Sequence, residues 1–197
     1  ILPLMAFLLI SSELVIVVLF KRGTFTQLHV VETSAVFSVF VLGIMGYAFT
    51  EFFNCIFYSI RDVKTPVAIS LVAMLVNVGC NLLLVQRWEV KGLATAYAFS
   101  AYVSSGCLGT ILVKRYHMRL GFNNVKGYIK NMIAVLLAGG ALDYFYNITV
   151  FRDGTLEVLI RLIFGFLIFV TIYLLVLMVF KDETVLNIYK LKGNRKG

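Results

Sequence analysis

The side chains able to do chemistry are few in these 197 residues, and most of them interrupt long apolar runs. Tyr47, Glu51, Asn54 and Tyr58 are spaced by four, three and four residues, which places them on one stripe of a helix. Asn77 and Asn81 are four apart and share a face of the next apolar run. A carboxylate at membrane depth costs at least about 2.5–3.5 kcal/mol on insertion scales, so Glu51, with polar neighbours a turn away on both sides, is expected to face a water-filled cavity. The asparagine pair has two open roles, a hydrogen bond to a neighbouring helix or direct contact with a ligand. Glu51, Asn54, Asn77 and Asn81 are the candidate cavity and substrate-path residues. Glu13, next to Ser11 and Ser12, is equally open to a cavity or an interface role.

Between these two runs lie Arg61, Asp62, Lys64 and Pro66, candidates for a cytoplasmic gate or hinge. The alternative is a simple capping turn, with Thr65 as cap and Pro66 at the first helical position. Ser100, Ser104 and Ser105 sit among small residues and suit close helix packing. Asp143 and Arg161 fall near the ends of apolar runs, where an interfacial or snorkelling role is the default. No catalytic constellation and no metal spacing is present: His29 and His117 lie in connections without a carboxylate or cysteine at ligand distance in sequence. There is no glycine-rich phosphate cradle either, so the expectation is a non-enzyme with no resident cofactor.

The elements that must hold these groups follow from composition. The chain is 60% apolar and 14% charged, with a mean hydropathy of +0.93. A soluble domain carries nearly twice that share of charge, so a water-soluble enzyme and a disordered chain are both excluded. The net charge of +8 does not signal a nucleic-acid partner, because the basic residues sit between apolar runs rather than on one face. Six apolar runs stand out, at about 1–20, 34–60, 65–86, 92–113, 131–148 and 156–180. They are too long for barrel strands and lack period-two alternation, which predicts an all-α, polytopic membrane helix bundle with six transmembrane helices. Cys55, Cys80 and Cys107 lie within these runs, far apart, as free thiols.

Four helices over 1–114 are expected to form one lobe. A basic connection follows over 115–130, then two further helices over 131–180 and a basic tail over 181–197. Of the 18 Lys and Arg residues, twelve fall on one side of this topology and five on the other. The richer side should be cytoplasmic, with both ends of the chain there. Asn147-Ile148-Thr149 fits a glycosylation pattern on the opposite side, a short match of little weight. The first residue is Ile1 and no basic leader precedes the apolar run, as expected of a piece of a longer polypeptide rather than of a secretory signal.

Four local patterns together resemble the MurJ/MviN family of lipid II flippases, within the multidrug, oligosaccharidyl-lipid and polysaccharide exporter superfamily. They are Ser12-Glu13 leading through Val18-Leu19-Phe20-Lys21-Arg22-Gly23-Thr24-Phe25-Thr26; Phe57-Tyr58-Ser59-Ile60-Arg61-Asp62-Val63-Lys64-Thr65-Pro66; the Asn77/Asn81 face; and Lys91-Gly92-Leu93-Ala94-Thr95-Ala96. The second is the most specific. The resemblance implies helices nine to fourteen of a fourteen-helix transporter, the C-terminal half, with the last two helices forming a lipid-tail groove. It implies an undecaprenyl-linked precursor as cargo, carried across the bacterial inner membrane by alternating access. Membrane lipids and the N-terminal half of the same polypeptide would be partners. The substrate-binding arginines of the family would lie in the earlier helices.

The resemblance also implies a monovalent-cation site on Asn77, Asn81, Leu93 and Tyr97, or coupling to the membrane potential. The donor set is poor for sodium, because the neutral Asn81 stands where an acidic ligand is expected and Tyr97 where a smaller hydroxyl would fit. Two other readings compete: a drug or other polysaccharide exporter of the same superfamily, and a non-transporting membrane scaffold or remnant. The scaffold would bind anionic lipid or a partner through Lys190, Lys192, Arg195 and Lys196.

Overall fold

The chain alternates apolar runs with short polar breaks, and each run becomes helix. A computed structural model describes residues 1–116, 125–149 and 154–180. Among them the fold is all-α, with six helices and no strand: α1 (Leu2–Ile10), α2 (Ser12–Phe20), α3 (Gln27–Ser59), α4 (Lys64–Tyr116), α5 (Val125–Ile148) and α6 (Thr155–Val179).

α4 is a helical hairpin. Glu89 leaves helical geometry at φ 50 and ψ −128, and residues 64–88 and 90–116 form two limbs either side of it. Each limb, at 1.5 Å per residue, is roughly 38 Å long, enough for a hydrocarbon layer of about 30 Å. The turn is tight because Gly92 has no side chain: a Cβ there would lie 2.5 Å from the Leu84 carbonyl oxygen. By length and composition α3, α4 and α6 can cross a membrane, and the bent pair α1/α2 makes up to four. With α4 resolved into two limbs, and α5 included, the helices follow the six apolar runs.

Three boundaries differ from the expectation. The first run is two helices bent by 68° at Ser11, not one. A serine pair in an apolar helix is a recognised kink site, and the buried Ser11 hydroxyl is bonded to the Tyr146 hydroxyl at 3.0 Å. The second run begins at Gln27 rather than near Ser34, because the Thr26 amide donates to Nδ1 of His29 at 3.2 Å and gives the helix a polar start. His29 is thus a helix-start residue rather than part of a connection. α5 begins at Val125, so part of the basic connection is helical. His117 and the rest of that connection over 117–124, Arg152, and the tail with Lys190, Lys192, Arg195 and Lys196 lie outside the described residues.

The chain divides into two compact units. The first holds α3 and α4. Gly43 and Gly46 of α3 meet Ala98 and the Ala101–Tyr102 backbone, with Cβ positions at 3.1 and 3.0 Å, and Phe57 is buried against Leu108 and Leu112. The paired numbers rise together, so α3 and the second limb run parallel. Ala94, Ala98, Ala101, Ser104 and Ser105 are buried along this limb, the small-residue seam that membrane helices use in place of hydrophobic burial.

The second unit holds α1, most of α2, α5 and α6. Within this unit α1 packs on α5 and α6. Phe7 is buried with Ala138, Leu142 and Phe169, and its ring lies 5.2 Å from Phe166, edge to face. Arg161 turns inward rather than snorkelling: its guanidinium lies 5.2 Å over the Tyr146 ring and donates to the Tyr146 carbonyl. That carbonyl is in the last turn of α5, where no intrahelical donor remains, so the arginine supplies one.

Candidate functional site

The polar stripe of α3 lies roughly a quarter-turn from the seam that packs on α4, since positions 47, 51, 54 and 58 are each about 100° from a seam position. Glu51 is exposed and Asn54 half-buried, and neither has a hydrogen-bond partner among the described residues. Tyr47 stacks on Tyr97 of the second limb at 6.5 Å, and Phe40 approaches the same ring at 5.5 Å. Tyr97 thus belongs to the aromatic edge of the stripe.

Asn77 and Asn81 form a chain with the second limb. Nδ2 of Asn81 donates to Oδ1 of Asn77 at 2.9 Å, and Nδ2 of Asn77 donates to the Ser100 hydroxyl at 3.2 Å. Oδ1 of Asn81 is buried without a partner. The structure brings the asparagines to each other and to Ser100, but no hydrogen bond joins them to Glu51. Leu93 and Tyr97 are exposed, and Tyr97 turns to the α3 rings. The four residues implied for a cation thus offer three neutral side-chain oxygens, at Asn77, Asn81 and Tyr97, with that of Asn77 already accepting from Asn81, far short of the six or more oxygens a hard cation takes. They do not fit such an ion.

The turn between α3 and α4 is built by its backbone. Arg61 has φ 61, its amide donates to the Tyr58 carbonyl, and the Asp62 amide donates to the Phe57 carbonyl, both at 3.0 Å. This is the paired closure that ends a helix on a left-handed residue, a position glycine normally takes. Asp62 then starts α4. Its Oδ1 accepts the Thr65 amide at 3.1 Å and its Oδ2 accepts the Thr65 hydroxyl at 2.6 Å. Asp62 is therefore the cap, where Thr65 was expected, and Pro66 is the buried third residue of the helix rather than the first. Lys64, at the helix start, is exposed.

Oδ2 of Asp62 also accepts the Tyr116 hydroxyl at 2.7 Å, and the Tyr116 ring packs edge-on against Phe57 at 5.9 Å. The hydroxyls of Thr65 and Tyr116 and the Thr65 amide, with the nearby Arg115 charge, hold the Asp62 carboxyl down at about 2 against a small desolvation effect. Tyr116, absent from the sequence candidates, closes the far end of α4 onto the turn. No local pattern marks it, because its partner lies 54 residues away.

A bundle of membrane-length helices, with an ionisable side chain exposed on α3 and a strained, hydrogen-bonded turn joining α3 to α4, defines a polytopic membrane protein. The family profile described as "Lipid II flippase MurJ" matches residues 1–156. The chain belongs to that family. Three relatives each carry the name probable lipid II flippase MurJ. The Helicobacter pylori protein is 31% identical over 114 residues, 58% of this chain and 23% of its own length. The Rhizobium meliloti protein is 30% identical over 116 residues, 59% and 22% respectively. The Buchnera aphidicola (subsp. Acyrthosiphon pisum) protein is 27% identical over 166 residues, 83% and 32%. A solved structure of lipid II flippase MurJ in an inward closed conformation superposes with a TM-score of 0.75 at 17% identity, covering 93% of this chain and 36% of that one. The chain thus spans between about a fifth and a third of the relatives' length.

Proposed function

We propose that this chain is the C-terminal part of a flippase for undecaprenyl-linked peptidoglycan precursor in the bacterial inner membrane. The relatives' name supports the cargo, and the twelve-to-five charge asymmetry supports cytoplasmic ends. The precursor's sugar hydroxyls and peptide amides are donors, and the Glu51 carboxylate, with Asn54 and the asparagine pair, supplies acceptors for them. The cavity would open alternately to each side by rocking of rigid bundles, driven by an ion gradient or the membrane potential, with the Arg61–Pro66 turn as hinge or gate. The observation that carries this reading is Glu51 itself: a carboxylate on an apolar helix, exposed and without a partner among the described residues.

The test is Glu51→Ala in the full-length protein. It should lower complementation of a flippase-depleted strain while membrane insertion is unchanged; wild-type activity removes Glu51 from the mechanism. Depletion of the protein should make lipid-linked precursor accumulate, whereas altered drug resistance without accumulation would favour the drug-exporter reading.

A further inference from the structure

The end of the first unit that holds the α3–α4 turn carries a cleft with no role so far. It measures about 450 Å³ and lies between the two limbs of α4, with Lys64, Lys114 and Arg115 at its mouth and Thr65 and Thr110 beside them. No carboxylate lines it. Asp62, beyond the lining, is engaged by Thr65 and Tyr116 and lies close enough to feel the charge of Arg115, which itself sits over the Tyr116 ring, whereas Lys64 and Lys114 form no ion pair among the described residues. Three cations within one small cleft attract an anion.

Two apolar furrows lead from this mouth toward membrane depth. One, of about 510 Å³, runs on the α3 side past Phe49, Phe53, Gly106 and Gly109 to Lys114. The other, of about 430 Å³, runs on the first-limb side past Ile69, Tyr102 and Ile111. Thr110 lines all three spaces and stands between the furrows. Gly106 lines both furrows, and a Cβ there would meet nothing within 4 Å. That glycine is not demanded by helix packing; its bare backbone widens the furrows. One cationic mouth and two apolar furrows match a headgroup with one phosphate and two acyl chains.

We propose that this cleft is a binding site for an anionic diacyl phospholipid of the cytoplasmic leaflet, separate from the path of the transported lipid. Basic pockets between helices on that side are suited to such headgroups. Two furrows speak against a single-chain polyprenyl phosphate, which would fill one and leave the other open. A bound lipid would tie Lys64 of the α3–α4 turn to Lys114 and Arg115 at the far end of α4, making the hinge sensitive to membrane composition.

The test is retention of phosphatidylglycerol by the purified detergent-solubilised protein in native mass spectrometry, with phosphatidylcholine and undecaprenyl phosphate as separate probes. Phosphatidylglycerol should be retained and should raise the melting temperature, with phosphatidylcholine doing neither. Lys114→Gln combined with Arg115→Gln should weaken retention by about thirtyfold, given about 1 kcal/mol for each cation. Gly106→Leu, which has room for its side chain, should also displace the lipid without changing helix content by circular dichroism. Equal retention of phosphatidylcholine, displacement by undecaprenyl phosphate, or undiminished retention in both variants would overturn the proposal. None of these results depends on where Glu51 faces, so their failure leaves the transport reading standing.

Discussion

Replacing Arg61 with glycine should make the protein more stable and less active. Arg61 closes α3 at φ 61, in the left-handed region, with the two amide bonds that this geometry permits. A side chain in that region costs about 1–2 kcal/mol. Glycine relieves this but loses about 0.4–1 kcal/mol through its freer unfolded chain. The net gain is therefore about 0.5–1 kcal/mol, or roughly 2 °C in melting temperature for a chain of this size. Thermal unfolding in detergent reads the gain, and complementation of a flippase-depleted strain reads the activity. Arg61→Ala is the control: it removes the guanidinium, keeps the Cβ in the unfavourable region, and should melt like the wild type. Backbone strain held at such a position is a mark of function. If Arg61→Gly melts lower than the wild type, the side chain itself supports the turn and the strain argument fails.

Other expectations follow from the same geometry. The Asp62 carboxyl is lowered from 3.8 to about 2, so the stability it contributes is fully present above its unfolded value and is lost as the pH falls from about 4 towards 2. Asp62→Asn should remove that part of the acid sensitivity in a melting series. Gly92→Ala puts a Cβ 2.5 Å from the Leu84 oxygen and 2.7 Å from its carbon, both backbone, and should destabilise by about 1–3 kcal/mol. Gly79→Ala, with nothing within 4 Å, should be neutral or mildly stabilising in the same melt. Tyr146→Phe removes the bond to Ser11 and should cost about 1 kcal/mol. A double mutant with Ser11→Ala should then be less than additive.

Hydropathy alone marks where the helices lie, because six runs of membrane length leave a chain in lipid no other way to satisfy its backbone. The stripe through Glu51 is legible for the same reason: spacings of four, three and four fix a common face before any fold is known. The features that escape are those set by partners distant in sequence. The bond that Ser11 makes at the bend needs Tyr146, the inward course of Arg161 needs a carbonyl at the end of α5, and the closure of the turn needs Tyr116. The helix end at Arg61 is hidden for another reason, since it uses a left-handed residue without the glycine that advertises one. Nor does periodicity reveal that α1 packs with α5 and α6. An all-round apolar helix shows no preferred face, so its neighbours cannot be read from it.

The claim on which the transport account depends is that the α3 stripe looks into water at membrane depth. The direct measurement replaces Cys55, Cys80 and Cys107 with alanine in the full-length protein, introduces Glu51→Cys, and labels intact cells with a membrane-impermeant sulfonated maleimide. The account predicts labelling at position 51, with protection when lipid-linked precursor accumulates. Labelling by a lipid-soluble maleimide alone, unaffected by precursor, would place the stripe against acyl chains and contradict it.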